Sequence, residues 1–185
     1  MVDGRLIGVL ALQGGFAAHA RLLRELGAAV REVRVPADLE GLDGLVIPGG
    51  ESTTMTLGIE REALREPLRS FGRPIFGTCA GLIMLDREHL GLMDIEARRN
   101  AFGRQVRSFE ADLEIAGIAG PPLRAVFIRA PWIAAHGDDV EILAEVEGHA
   151  VAARQGPLLA VAFHPELGGD TRLHERFLAA CDGSA

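Results

Sequence analysis

Short runs of apolar residues alternate with longer segments of helical periodicity through the first half of the chain, and this alternation constrains the fold most. Apolar strands are expected at Leu6–Leu12, Gly44–Ile47 and Pro74–Thr78, and a half-buried strand at Val30–Val35. Helices are expected at Ala17–Leu26, at Ala80–Leu90 and from Thr53 to Phe71, with Pro67 as a candidate break. Because strands that are apolar along their whole length must be covered on both faces, we predict a parallel sheet between two layers of helices.

The second half of the chain changes character, because strand-like segments follow one another with little helix between them. These segments are Gln105–Ile115, Leu123–Arg129, Val140–Val146, Ala150–Arg154 and Leu158–Phe163. Glu147-Gly148 and Gln155-Gly156-Pro157 are turn sequences typical of hairpins. A last helix is predicted over Asp170–Ala180, with Asp170 as its N-cap. The predicted fold class is therefore α/β, a three-layer α/β/α arrangement whose central sheet is mostly parallel, with antiparallel strands in its later part.

The length and charge of the chain exclude several classes of protein. Its 185 residues fit a single domain over residues 1–185. The formal charge is −7 and all 19 basic residues are arginine, so neither a basic nucleic-acid surface nor lysine Schiff-base chemistry is expected. The 2 cysteines make no disulfide framework, and no apolar run approaches the roughly 18 residues of a membrane span. We therefore expect a cytoplasmic protein without a membrane segment, a nucleic-acid partner or a metal site.

The pentapeptide Gly77-Thr78-Cys79-Ala80-Gly81 lies where a predicted strand meets a predicted helix. A nucleophile between small residues at such a junction is typical of a nucleophile elbow, in which a tight turn exposes the reactive side chain. The positive end of the helix dipole favours a thiolate at Cys79, and the N–H of Ala80 is placed to stabilise an oxyanion. An isolated cysteine is more often an inert core residue, so the pentapeptide alone leaves both interpretations open.

A cysteine nucleophile needs a histidine that carries its proton and a third group that orients that histidine. Of the 6 histidines, only His164 directly follows an apolar strand, whereas the other five are expected to be surface residues. Ligands of open α/β sheets gather at the carboxyl ends of the strands, so Cys79 and His164 are expected to meet there. Glu166, two residues further on, can reach back to the imidazole of His164. A solvated His-Pro-Glu turn is the competing interpretation.

Loops after other strands supply candidate substrate contacts. The two glycines of Pro48-Gly49-Gly50-Glu51-Ser52 can free backbone N–H groups for an oxyanion, and Glu51 can bind a substrate ammonium. Arg99 and Arg129 are candidates for binding a carboxylate with two hydrogen bonds. Spacing alone does not select these two arginines from the others, and most Gly-Gly pairs are simply turns.

Together the cysteine pentapeptide and His164-Pro165-Glu166 resemble the class I glutamine amidotransferases. Five further stretches are similar to one branch of that family, the glutaminase subunits of pyridoxal 5′-phosphate synthase. They are Leu10–Gly14, Pro48–Met55, Arg99–Gln105, Ser108–Leu113 and Phe127–Pro131. The resemblance runs from Leu6 to about Phe177 and implies a flavodoxin-like α/β fold. The segment from Leu85 to Arg98 looks shorter than is usual in the family.

The resemblance also implies an activity, the hydrolysis of L-glutamine to L-glutamate and ammonia without a cofactor. It makes Cys79 the nucleophile, His164 the general acid and base, and Glu166 the group that orients His164. It makes Gly50 and Ala80 the oxyanion donors and puts Gln13 in a segment used at the oxyanion region and at a subunit interface. The positions that match glutamine-binding residues are Gly50, Glu51, Ser52, Arg99, Ile128 and Arg129.

The resemblance further implies a partner, a separate (β/α)₈-barrel synthase subunit that receives the ammonia within a large hetero-oligomer. The catalytic lysines of that synthase belong to the partner, which is compatible with the absence of lysine here. Two alternatives remain at this point. One is an amidotransferase subunit of another pathway, and the other is a redox sensor that keeps the cysteine elbow without being an enzyme.

Overall fold

The computed structural model describes residues 4–99, 102 and 108–183. Strands and helices alternate in the first half, and strands dominate the second. The elements of the first half are β1 (Leu6–Leu10), α1 (Phe16–Glu25), β2 (Ala29–Val33), β3 (Gly44–Ile47), α2 (Ser52–Arg61), α3 (Arg65–Arg69), β4 (Ile75–Thr78) and α4 (Ala80–Leu85), with a 3₁₀ turn at Pro36–Leu39. Those of the second half are β5 (Ile95–Arg98), β6 (Ser108–Leu113), β7 (Leu123–Ile128), β8 (Trp132–His136), β9 (Glu141–Val146), β10 (His149–Gln155), β11 (Leu158–Val161) and α5 (Arg172–Cys181).

The central sheet joins both halves of the chain. Its strand order is β2-β1-β3-β4-β11-β10-β8-β5, and β9 also pairs with β10. The pairs among β2, β1, β3, β4 and β11 are parallel, whereas β10, β9, β8 and β5 pair antiparallel. Strands β6 and β7 form a separate antiparallel pair. This arrangement confirms the predicted α/β class and its antiparallel later part.

Helices cover both faces of the sheet, as the alternation of side chains along β4 makes clear. The ring of Phe76 lies 6.5 Å from that of His19 in α1 and 5.8 Å from that of Phe177 in α5. Gly77 faces the opposite side, where a Cβ atom would lie 2.6 Å from the carbonyl oxygen of Gly81 in α4. Since successive residues of a strand point to opposite faces, α1 and α5 form one outer layer and α4 lies in the other.

All residues of β3 and β4 are buried, as expected for parallel strands covered on both faces. The apolar core built on them runs continuously into the antiparallel part through β11 and β10. Within the described ranges 4–99, 102 and 108–183, no helix has the length and apolar character needed to cross a bilayer.

The predicted helix from Thr53 to Phe71 is wrong in its continuity. Two helices, α2 and α3, meet at Ala63, whose φ of 54° lies in the left-handed region. Pro67 lies inside α3 and causes no break, because it occupies the first turn, where a backbone N–H has no helical partner to lose. The predicted helix Ala80–Leu90 ends early, at Leu85. Asp86 is extended there, and its carboxylate accepts from the N–H groups of the next turn.

Three further details differ from the sequence prediction. Strands β5 and β8 were not predicted, and they pair with each other in the antiparallel part of the sheet. The N-cap of α5 is Thr171, while the carboxylate of Asp170 accepts from the N–H of Arg172. Of the strand predicted over Gln105–Ile115, residues 108–113 form β6 and residues 105–107 lie outside the described part of the chain.

Candidate active site

Cys79 lies at the turn between β4 and α4, as the elbow sequence predicts. Its φ of 50° and ψ of −105° are strained for a residue with a side chain, at a cost of about 1–3 kcal/mol. Its N–H donates to the carbonyl oxygen of Val161 at 2.8 Å, which ties the elbow to β11. A Cβ atom at Gly81 would overlap the carbonyl oxygen of Ile47, so only glycine lets α4 begin this close to β3. Backbone packing therefore holds the strained turn.

His164 lies three residues after the end of β11 and lines the same cavity as Cys79. Its N–H donates to the carbonyl oxygen of Val126, and its Nδ1 lies 2.8 Å from Oε1 of Glu166. Burial lowers the pKa of His164, but hydrogen bonds with Cys79 and Glu166 outweigh burial and raise it to about 10. The protonated imidazole is therefore favoured next to the cysteine, which is the state that stabilises a thiolate.

Glu166 is buried, with 8% of its surface exposed. Burial raises the pKa of its carboxyl group, but the hydrogen bond from His164 and the nearby His19 hold that pKa below its usual value. A buried carboxylate that bonds Nδ1 fixes the imidazole ring and leaves Nε2 for chemistry at the cysteine. The three side chains thus have the order that a nucleophile, its base and an orienting group require.

Gly49 lies between the two reactive side chains. A Cβ atom there would be 2.5 Å from Cε1 of His164 and 3.3 Å from Cβ of Cys79. Its carbonyl oxygen accepts from the N–H of Gly15 at 3.0 Å, which binds this loop to the start of α1. Gly49 of the Gly-Gly pair after β3 is therefore required for close packing against the imidazole, in addition to its role in the turn.

A cavity of about 260 Å³ opens above Cys79 and His164. Its buried side, which we call the reactive side, consists of Cys79, Ala80 and His164. Its outer side consists of the exposed residues Gly50, Glu51, Arg99 and Arg129. The full lining is Gly50, Glu51, Ser52, Cys79, Ala80, Ile83, Arg99, Ile128, Arg129, Pro131 and His164.

Glu51 is the N-cap of α2, and its carboxylate accepts from the N–H groups of Thr53 and Thr54. Bonds from the hydroxyl and N–H of Thr54 and the N–H of Thr53 lower the pKa of Glu51 to about 2. Arg99 extends from the end of β5, with its Nη2 3.5 Å from Oε1 of Glu51. Gln13 does not line the cavity. Its Nε2 donates to the backbone oxygen of Glu51 at 3.0 Å, so Gln13 supports the loop from behind.

The segment after β7 closes the remaining wall. The carbonyl oxygen of Ile128 lies 3.9 Å from Sγ of Cys79, and Arg129 has a φ of 44°. Ala80 is the first residue of α4, so its N–H has no partner within the helix, and Ala80 lines the same cavity. The cavity therefore combines a thiol, an imidazole, the start of helix α4, one carboxylate and two guanidinium groups.

Nearly all residues predicted for the site lie at this cavity or directly behind it. Sequence reasoning missed Ile83 and Pro131, which line it, and was wrong to place His19 and His174 at the surface, since both have 0% exposure. A signal was present for the two histidines. Each histidine begins an apolar stripe with the spacing i, i+3, i+4, i+7. The stripe continues with Leu22, Leu23 and Leu26 after His19, and with Phe177, Leu178 and Cys181 after His174.

No metal site accompanies this arrangement in the part of the chain that the structure describes. There, no group of three or more histidine, cysteine, aspartate or glutamate side chains has the geometry to hold a metal ion. The reactive side chains present at the cavity are a cysteine and an oriented histidine.

Comparison with known proteins defines the class first. The chain belongs to the SNO glutamine amidotransferase family, whose model matches residues 9–183. A solved glutamine amidotransferase structure has a TM-score of 0.89 and 43% identity, covering 95% of this chain and 98% of that one. These matches confirm the family resemblance that the motifs indicated.

The curated relatives carry a more particular name. Pyridoxal 5′-phosphate synthase subunit PdxT of Frankia casuarinae is 53% identical over 189 residues, covering 96% of this chain and 95% of the relative. The PdxT of Pelotomaculum thermopropionicum is 54% identical over 185 residues, covering 95% and 94%. The similarity therefore extends over nearly the full length of both proteins.

Proposed function

We propose that this chain is the glutaminase subunit of a pyridoxal 5′-phosphate synthase and hydrolyses L-glutamine to L-glutamate and ammonia. The observation that carries the proposal is the cavity, where Cys79 meets His164 and Glu166 beneath groups suited to an α-amino acid. The high identity to PdxT subunits favours this synthase over an amidotransferase of another pathway. A redox sensor would need the cysteine but not the oriented histidine or the charged outer side.

In the proposed mechanism the thiolate of Cys79 adds to the amide carbon of glutamine. The oxyanion that forms accepts hydrogen bonds from the N–H groups of Gly50 and Ala80. His164, held by Glu166, gives a proton to the departing nitrogen, so that ammonia leaves and a glutamyl thioester remains. His164 then takes a proton from water, the water oxygen attacks the thioester carbon, and L-glutamate leaves with the thiolate restored.

The outer side is proposed to recognise the amino-acid end of glutamine. Glu51 would bind the ammonium, because its lowered pKa keeps it ionised and its side chain is half exposed to the cavity. Arg99 and Arg129 would bind the α-carboxylate, with Ser52 and Ile128 completing the wall. Gln13 is assigned a supporting role, since it holds the loop of the proposed oxyanion donor Gly50 from behind.

The ammonia is proposed to pass to a separate synthase subunit, a (β/α)₈ barrel, within a large hetero-oligomer. Residues 1–185 then act as a single amidotransferase domain without a cofactor of their own, in the cytoplasm. The composition supports this division of labour. With no lysine in the chain, any Schiff-base chemistry on a sugar phosphate must belong to the partner.

The two cysteines of the chain provide a matched test of the proposed nucleophile. Cys79→Ala should reduce ammonia release from glutamine to background, because no other side chain at the cavity can form the thioester. Cys181→Ala should retain wild-type activity, since Cys181 lies in α5 and packs against Gly44. Ammonia should be measured with and without the purified synthase subunit, and folding by circular dichroism. Ammonia release by a folded Cys79→Ala protein would contradict the mechanism.

A further inference from the structure

A buried pair of histidines lies directly behind the proposed catalytic glutamate. His19 of α1 and His174 of α5 have 0% exposure, and their Nδ1 and Nε2 atoms, respectively, are 2.9 Å apart. Nε2 of His19 lies 3.1 Å from the hydroxyl oxygen of Thr78 and 3.3 Å from Oε2 of Glu166. His19 therefore faces the carboxylate oxygen that His164 does not use.

The surroundings of the pair select one arrangement of its protons. Burial lowers the pKa of both rings, to about 3 for His174, so each is neutral and has one N–H. A carboxylate accepts hydrogen bonds only, so the atom of His19 that faces Glu166 should be the protonated one, Nε2. Nδ1 of His19 is then the acceptor for Nε2–H of His174.

The opposite arrangement carries two penalties. It would point a lone pair of His19 at the carboxylate of Glu166, and it would put a proton on Nδ1 of His174. That atom is buried and has no hydrogen-bond partner among the described residues. A buried N–H without a partner costs about 1–3 kcal/mol, whereas a buried lone pair is tolerated more readily. The donors of His174 and His19 therefore point toward the Thr78 hydroxyl, next to the carboxylate of Glu166.

We propose that His19 is a positioning residue for the glutaminase reaction, whose Nε2–H bonds the Thr78 hydroxyl beside the second oxygen of Glu166 and so keeps that carboxylate ionised and oriented toward His164. This inference rests on the proposed function. It adds His19 to the series of side chains behind Cys79, which so far comprises His164 and Glu166. Oε2 of Glu166 is buried and has no hydrogen-bond partner in the described part of the chain, although Nε2 of His19 lies 3.3 Å away. His19 is thus the neighbouring donor that can compensate its charge.

The inference predicts a change in pH dependence. The ionisable groups that face His19 are Glu166, His164 and His174, on the turn after β11 and on α5. Without the donor, the pKa of Glu166 should rise, because a buried carboxylate loses a stabilising partner. Protonated Glu166 no longer stabilises the imidazolium of His164, so the reactive thiolate should disappear at a higher pH than in the wild type.

Two amide substitutions distinguish a requirement for a hydrogen-bond donor at the position of Nε2 of His19 from a requirement for any polar side chain. The amide nitrogen of glutamine can reach the position of Nε2, whereas that of asparagine reaches only the position of Nδ1. His19→Gln should therefore retain the wild-type profile. His19→Asn should shift the acid limb of Cys79 alkylation by iodoacetamide upward by roughly one pH unit. Alkylation of Cys79 is followed by peptide mass spectrometry, and His19→Leu serves as a donor-free variant if His19→Asn does not fold.

Steady-state kinetics give a second measurement. The kcat for ammonia release should fall in His19→Asn at pH 6 while KM stays constant, since His19 does not line the cavity. If Cys79 alkylation had the same pH dependence in His19→Gln and His19→Asn, the inference would be overturned, whether both variants match the wild type or both are shifted. Alkylation needs no glutamine turnover, so a failure of the proposed glutaminase activity is seen separately in the Cys79→Ala assay.

Discussion

The reactive side and the outer side of the cavity are built in different ways. Cys79 and Ala80 are almost fully buried, and close backbone contacts through Gly49 and Gly81 hold the loops around them. Glu51 and Arg99 on the outer side are about half exposed and are held by side-chain hydrogen bonds. Changes on the reactive side should therefore disturb stability and turnover, whereas changes on the outer side should chiefly disturb substrate affinity.

The largest effect is expected where α4 meets the end of β3. Gly81→Ala would drive a Cβ atom into the carbonyl oxygen of Ile47, and backbone cannot move aside as a side chain can. We expect a loss of about 3 kcal/mol or more in the free energy of unfolding. Gly58→Ala is the control, because this buried helical glycine faces only the movable side chain of Leu12. If urea unfolding gave similar midpoints for the two variants, the stated difference between the reactive side and the outer side of the cavity would be contradicted.

An effect of intermediate size concerns the histidines behind the reactive side. The unfolded chain binds a proton at His174 near pH 6.5, but the folded protein does so only near pH 3. The unfolded state therefore holds more protons between these values, and stability falls as pH decreases. From pH 7 to pH 5 the wild type should lose about 2 kcal/mol more than His174→Leu. Thermal unfolding at both pH values measures this, with exposed His136→Leu as control; parallel losses would refute it.

The smallest effect is expected on the outer side. Arg99→Ala should raise KM for glutamine roughly tenfold and leave kcat nearly unchanged, as expected for the loss of one charged hydrogen bond to bound substrate. Arg98→Ala is the matched control, because Arg98 is an exposed neighbour that does not line the cavity. A fall in kcat with constant KM would place Arg99 with the reactive groups and undo the comparison.

Local sequence was enough to place the two proposed reactive side chains together, since Cys79 directly follows the buried strand β4 and His164 lies three residues after the end of β11. A parallel sheet brings such strand ends together whatever their separation along the chain, so the pentapeptide and His-Pro-Glu sufficed. Helix ends were harder. The break at Ala63 was assigned to Pro67, because proline is a strong local signal whereas a left-handed alanine leaves none.

Contacts between distant segments could not be predicted in this way. His19 and His174 are 155 residues apart, and each has an environment that only the packed helices α1 and α5 define. The edge strand β5 and its neighbour β8 are short and partly exposed, so neither shows a clear apolar run. The pairing of these two strands depends on the rest of the central sheet more than on their own residues.

The position of β11 sets when the site can form during synthesis. This strand is the last in sequence, yet it lies between β4 and β10 in the middle of the sheet, and His164 follows it. A ribosome that has completed β10 has therefore made the proposed nucleophile and the whole outer side without the proposed base. Because β4 and β10 have no shared neighbour before β11 inserts between them, we expect a nascent chain that ends before β11 to release no ammonia from glutamine.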